Sequence, residues 1–206
     1  MKTSTSPRVQ RNRQAATQSI LEAARAIMRA EGVAALSMQE LARRMDMRAP
    51  SLYNYFTGKM EIYDTLFRLG FSLWKEKVEQ AAQASANFQD EIRNILEGYF
   101  SFALENPELY QLCFERPVPG FVPSQESLNL SFGILDYSRQ RVEQYKHELD
   151  TELSSEQILN LTIAVSHGLT AMHLANEPHL PLGQGRFGSL IPAAMSMLEA
   201  ALIQKG

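Results

Sequence analysis

The sequence predicts an all-helical chain with a small basic head and a larger acidic body. Three observations carry this. Apolar residues recur at helical spacing in segment after segment, no segment alternates with a convincing period of two, and the charge changes sign along the chain. Residues 1–60 hold ten Lys or Arg against four Asp or Glu, whereas residues 61–206 hold ten against nineteen. A basic first quarter on an acidic remainder points to a module that meets a polyanion, carried by a body that does not.

The elements follow in order. Residues 1–12, with Lys2, Pro7 and several Ser and Thr, read as a disordered basic arm. Ile20, Ala24 and Ile27 recur at helical spacing, and Gly32 supplies the stop. Ser37 followed by Glu40 has the form of a capping box, and Leu41 and Met45 give the short helix behind it an apolar side. Asp46 and Met47 break the pattern. A second short helix is expected over Arg48–Tyr55, where Pro50 is tolerable because it falls in the first turn. A long helix runs from Lys59 through Ile62, Leu66, Leu69 and Leu73 to about Ala84. Further helices are expected over 90–104, after Pro107, over 126–149, from Ser154 or Ser155 to Asn176, and over 187–204. Pro192 should sit in the first turn of the last one or kink it. "ERPVPGFVPSQ" and "EPHLPLGQG" are loops by their Pro and Gly content. The count is nine to ten helices, divided into a helix-turn-helix head over 13–58 and a helical body over 59–206.

Several function classes fall away. The single cysteine, Cys113, permits no intramolecular disulfide and fits a reducing, cytoplasmic setting. The amino terminus leads into no apolar signal region, and no uninterrupted run of 18 apolar residues marks a membrane span. Glycine-rich phosphate loops and the G-x-S-x-G elbow are absent, so no enzyme is expected and no cofactor is implied. His167 and His173 are six apart and fall on different faces of a helix, so no metal site is expected.

Two short helices behind a longer one make a helix-turn-helix, with Leu52 and Phe56 anchoring the second helix on Ile20, Ala24, Ile27, Leu41 and Met45. Its other side is then free to enter a major groove. Ala49, Pro50 and Ser51 are short enough to let the helix end approach the bases. Arg48 can reach guanine or phosphate, and Tyr53, Tyr55 and Lys59 can hold the backbone. Ring packing and solvated charge explain the same residues without DNA, which would make the chain a helical protein-interaction module.

The run "RQAATQSILEAARAIMRAEGVAALSMQELARRMDMRAPSLYNYFTGKMEIYDTLF" resembles the amino-terminal domain of the TetR family of transcriptional regulators over residues 13–67. The resemblance implies a homodimer that reads a palindromic operator in double-stranded DNA, represses by default, and is released by a small effector bound in the carboxy-terminal body. It places Ser37 and Gln39 where the family meets phosphate and bases, Arg48, Ala49, Pro50 and Ser51 at base-facing positions, and Tyr53 and Lys59 on the backbone. The chain departs from the family at Asp46, where a glycine is usual, and at Tyr55, where histidine is frequent.

For the body the resemblance gives only the general plan, in which the last two helices pair with their mates as a four-helix bundle. Leu161, Val165, Leu169, Leu190, Ala194, Met197, Leu198 and Ala201 can supply such a face, although the same residues can also be core. An effector cavity would be lined from Trp74, Tyr99, Phe102, Tyr110, Phe114, Tyr137, Met172 and His173, a set suited to a small apolar or aromatic molecule.

Overall fold

The structure is a computed structural model that describes residues 6–202. Among them the α-helices are α1 (Pro7–Glu31), α2 (Met38–Arg44), α3 (Ala49–Leu52), α4 (Lys59–Ala84), α5 (Phe88–Glu105), α6 (Pro107–Tyr110), α7 (Gln125–Tyr145), α8 (Ser155–Asn176), α9 (Gly185–Gly188) and α10 (Ile191–Leu202). No strand of a sheet occurs among the described residues. The all-helical class is as the sequence predicts, and Pro192 falls in the first turn of α10.

The chain divides into two compact units, and the division differs from the expected cut at residue 58. The head unit runs to Leu69 and also takes in Glu108–Ser124, while the body unit holds Gly70–Pro107 and everything from Gln125 onward. Residues 7–12, expected to be a disordered arm, form the first turns of α1, with Pro7 at the helix start where its missing N–H costs nothing. Residues 1–5 of that arm lie outside the described residues.

The head packs Ile20, Ala24 and Ile27 of α1 with Leu41, Leu52 and Phe56, all buried, while Met45 is only half-buried. Tyr63 on α4 is fully buried and donates its hydroxyl to Val33 O at 2.7 Å; burial raises its phenol above the usual range. The ring of Phe121 lies 5.7 Å from Tyr63 and 6.1 Å from Phe67, so the returning segment adds to this core. Its deepest polar group is Glu108. That carboxylate is 0% exposed and accepts from Arg25 Nε at 2.7 Å and Arg29 Nε at 2.8 Å, which pins α6 to α1. After α6 the chain makes a π-helical turn over Gln111–Glu115 and leaves it through Arg116 in the left-handed region. Cys113 in this turn is buried, and burial pushes its thiol pKa far up.

The body's core joins Phe88, Ile92, Leu96 and Phe100 of α5 to Val142 of α7, Ile158 of α8, and Ile191, Met195, Leu198 and Leu202 of α10. Arg141 grips the buried Glu91 through two hydrogen bonds of 3.0 and 2.6 Å, tying α7 to α5. Helix α8 begins with a reciprocal capping box, Ser154 and Gln157 each bonding the other's backbone. By length and composition it is apolar enough to cross a bilayer, yet it lies among α5, α7, α9 and α10. Its buried stripe is polar: Ser155, Thr162, Ser166, Thr170 and His173 interrupted by Ile158. Ile163 and Met172 are exposed instead.

Candidate nucleic-acid interface

The site begins at Ser37, whose side chain caps α2 by accepting from Glu40 N at 3.1 Å. Its hydroxyl hydrogen is left to donate. The expected box is only half formed, because the Glu40 carboxylate turns to Arg43, at 2.8 and 2.7 Å, and to Arg44 at 2.8 Å. These hydrogen bonds hold the Glu40 carboxyl at about 2, well below its ordinary range.

Helix α2 ends in a Schellman motif. Met47 N donates to Ala42 O at 2.9 Å and Asp46 N to Arg43 O at 3.3 Å, which leaves Asp46 in the left-handed region at φ 51°. This is the turn where a glycine is usual. Aspartate tolerates the conformation better than most residues because its short side chain crowds the backbone less. The turn therefore keeps the geometry that glycine would give it.

Only Ala49–Leu52 is α-helical in the recognition segment, with Arg48 at the N-cap, rather than the expected 48–55. The chain winds on through turns, Leu52 O accepting both Tyr55 N at 2.9 Å and Phe56 N at 3.0 Å. Leu52 and Phe56 hold this segment to the core. Gln39, Arg48, Pro50 and Tyr53 are exposed, and Ser37, Ala49, Ser51, Tyr55 and Lys59 are half-buried. Tyr53 stands out with 54% of its surface exposed. Tyr55 is engaged from behind: the Arg13 guanidinium lies 5.9 Å from its ring centre and donates to Asn54 O at 3.0 Å. Arg13 is a member of the site that spacing along the sequence does not reveal, because its partner is 41 residues away.

The basic charge of the head is mostly spent inside it. Arg25 and Arg29 serve Glu108, Arg43 and Arg44 serve Glu40, Arg44 also pairs with Glu31, and Arg13 holds the 54–55 turn. Of the cations up to residue 60, Arg8, Arg11, Arg48 and Lys59 have no ion-pair or hydrogen-bond partner among the described residues.

Residues 20–66 match the family described as bacterial regulatory proteins, tetR family. Over these residues the chain is similar to the TetR family. The transcriptional activator FasR of Mycolicibacterium smegmatis is 28% identical over 97 residues, which are 47% of this chain and 44% of FasR. The chain thus spans about half the length of the curated relatives it first matches. Among solved structures, the fatty acid degradation regulator FadR from Bacillus halodurans superposes with a TM-score of 0.72 at 12% identity, covering 88% of this chain and 93% of FadR. AibR in complex with isovaleryl coenzyme A and operator DNA superposes at 0.64 and 16% identity, covering 89% and 96%. At such identities these likenesses show the fold alone, over head and body alike.

Of the eight residues expected to line an effector cavity, Tyr110 and Phe114 belong to the head unit and the other six to the body unit. Trp74, Tyr99 and Phe102 cluster in the body, with the Trp74 ring 5.1 Å from Tyr99 and 6.2 Å from Phe102. His167 joins them, its Nδ1 3.0 Å from the Tyr99 hydroxyl. Its spacing from His173 bears only on metal binding and does not reveal this contact. Tyr110 and Phe114 pair with each other at 5.7 Å in the head unit. Tyr137 and Met172 are exposed, because their helices turn those faces outward. His173 is fully buried: its Nε2 donates to Leu180 O at 3.0 Å and its ring packs 4.6 Å from Phe100, so it fastens the loop after α8. Of the residues expected at a dimer face, Ala194 and Leu198 are core within the chain, whereas Leu190, Met197 and Ala201 are exposed and Leu161, Val165 and Leu169 half-buried. Among the described residues no group of three His, Cys, Asp or Glu is placed to hold a metal.

Proposed function

We propose that this chain is a ligand-responsive transcriptional regulator of the TetR family, acting as a repressor, that binds a palindromic operator as a homodimer and releases it when a small apolar or aromatic effector binds the body. The observation that carries the reading is the division of the recognition segment by burial. Leu52 and Phe56 are sunk in the core, while Arg48, Pro50 and Tyr53 of the same segment are exposed, as is Gln39 in the first turn of the capped α2. A helix end with short residues at Ala49 and Ser51 suits close approach to base edges, and Ser37, Tyr53 and Lys59 suit the flanking phosphates.

The dimer rests on the outer faces of α8 and α10. Ile163 and Met172 on α8, and Leu190 and Met197 beside and on α10, are exposed apolar side chains accompanied by Ala164, Gly168, Ala193 and Ala201. Small and apolar residues at helical spacing suit an isologous four-helix contact. The effector class rests on the Trp74, Tyr99, Phe102 and His167 group, three aromatic rings with one polar pair. FadR is a fatty acid degradation regulator and AibR forms a complex with isovaleryl coenzyme A, and the acyl groups named there agree with an apolar effector.

Selection of duplexes from a random pool, followed by affinity measurement against the winners and against random sequence, tests the proposal. A palindromic winner bound by two chains, with affinity reduced in Arg48→Ala and Tyr53→Ala variants of unchanged fold, is the expected result. Equal weak affinity for every duplex would leave the protein-interaction reading in its place.

A further inference from the structure

The amino-terminal half of α1 contributes no side chain to the buried core. From Pro7 to Ser19 it contains no buried residue, and the core contacts of the helix begin at Ile20. At 1.5 Å per residue this is a rod of about 18 Å in which only Ala16 and Thr17 are even half-buried. It carries Arg8, Arg11 and Arg13, and no acidic residue occurs before Glu22. Cations at the start of a helix oppose its dipole, so local electrostatics does not explain the pattern.

What fixes the rod in place is Arg13, bonded to Asn54 O and stacked over Tyr55 in the turns that follow α3. Arg11 and Arg8 therefore lie about 3 and 8 Å further along the axis from a point held beside the recognition segment. They sit three apart on neighbouring positions of one helix face. Together they are half of the four cations up to residue 60 that the described part of the head leaves unengaged. The other two, Arg48 and Lys59, belong to the recognition segment and to the start of α4.

We propose that this basic rod is a second DNA contact, lying on the sugar–phosphate backbone outside the groove that α3 enters, with Arg8 and Arg11 each neutralising a phosphate. The proposal rests on the DNA-binding reading and extends the site beyond the helix-turn-helix. Tyr55 then acts as a positioning residue, giving Arg13 a surface to lie on, rather than as a phosphate donor. The contact reads no bases, so it raises affinity for every duplex long enough to reach it.

The test uses the full chain, its selected duplex, and an Arg8→Gln/Arg11→Gln variant, with affinity followed by fluorescence anisotropy across a salt series. Each phosphate contact contributes about 0.9 to the slope of log affinity against log salt, so the double variant should lose about 1.8 per chain. Affinity should fall by the same factor on selected and random duplexes, whereas Arg48→Ala should weaken mainly the selected one. Arg8→Lys/Arg11→Lys should retain the slope, since a point charge suffices. Trimming the wild-type duplex to its recognised core should reproduce the loss without any mutation. An unchanged slope in the Gln variant overturns the rod contact while leaving the helix-turn-helix reading intact. A wild-type chain that prefers no duplex overturns both readings, and tighter binding of single-stranded RNA or anionic vesicles than of duplex through Arg8 and Arg11 overturns this one.

Discussion

Glu108→Gln is the sharpest probe of how the head is held together. The side chain is 0% exposed, and its two partners differ in access, Arg25 being 24% and Arg29 51% exposed. Glutamine keeps the volume and an acceptor oxygen but removes the charge. Hydrogen bonds to charged groups contribute about 1.5–3 kcal/mol and neutral ones about 0.5–1.5, so weakening two of them costs about 2 kcal/mol. Water already reaches the Arg29 side, which lowers the figure to about 1.5 kcal/mol. For a chain of this size that is a drop of about 3–6 °C in the unfolding midpoint. A thermal melt by circular dichroism measures it, and repeating the melt at about 1 M salt adds a second criterion, because buried pairs are screened far less than exposed ones. A Glu40→Gln control, at an exposed cluster, should give a smaller change that fades with salt. If Glu108→Gln melts within about 1 °C of the wild type, or its deficit vanishes in salt, the carboxylate is not the pin described above.

Other consequences are as direct. Asp46→Val places a β-branched residue at φ 51° and should cost about 1–2 kcal/mol in denaturant unfolding, whereas Asp46→Gly should match or slightly exceed the wild type; equal losses for both would mean that the turn is unstrained. Because the Glu40 carboxyl lies at about 2 when folded, against an ordinary 4.5, its stabilisation is full above the ordinary value and is lost as pH falls through the folded one. Glu40→Gln should therefore flatten part of the acid unfolding curve between about pH 4.5 and 2, and identical curves would refute the pairing. Cys113 should resist alkylation in the folded protein at pH 8 and react only as the chain unfolds; prompt labelling would contradict its burial. Leu52→Ala should lose about 2–5 kcal/mol of stability. Tyr53→Ala should melt normally and bind DNA about tenfold more weakly; the reverse outcome would exchange their roles.

Much of this was legible because local chemistry decided it. The cap at Ser37, the stop at Gly32, the anchors Leu52 and Phe56, and the departure at Asp46 all depend on neighbours within one turn of chain. The α3 boundary was not legible, since Leu52 O serves two amides and the backbone continues winding without being α-helical. Neither was the return of Glu108–Ser124 to the head, which depends on a carboxylate finding arginines 79 and 83 residues away. The exposure of Tyr137 and Met172 was not legible either, because periodicity reports that a helix has a face and not what covers it. In the same way the apolar residues of α8 suggested its packed side, whereas the stripe actually buried within the chain is largely Ser, Thr and His.

That stripe also bears on what kind of joint α8 makes with its neighbours. Thr162 gives its hydroxyl hydrogen to Ile158 O at 3.0 Å and Ser166 gives its own to Thr162 O at 2.8 Å, both inside the same helix. Groups satisfied in this way present small, smooth shapes to the neighbour and do not register one helix against the other. The aromatic latches between α8 and α5 sit at Tyr99–His167 and Phe100–His173. Such a seam resists being pulled apart but opposes sliding mainly at its latches, as in a shear joint. Loss of the Tyr99–His167 bond would remove one of these two latches and leave the other in place.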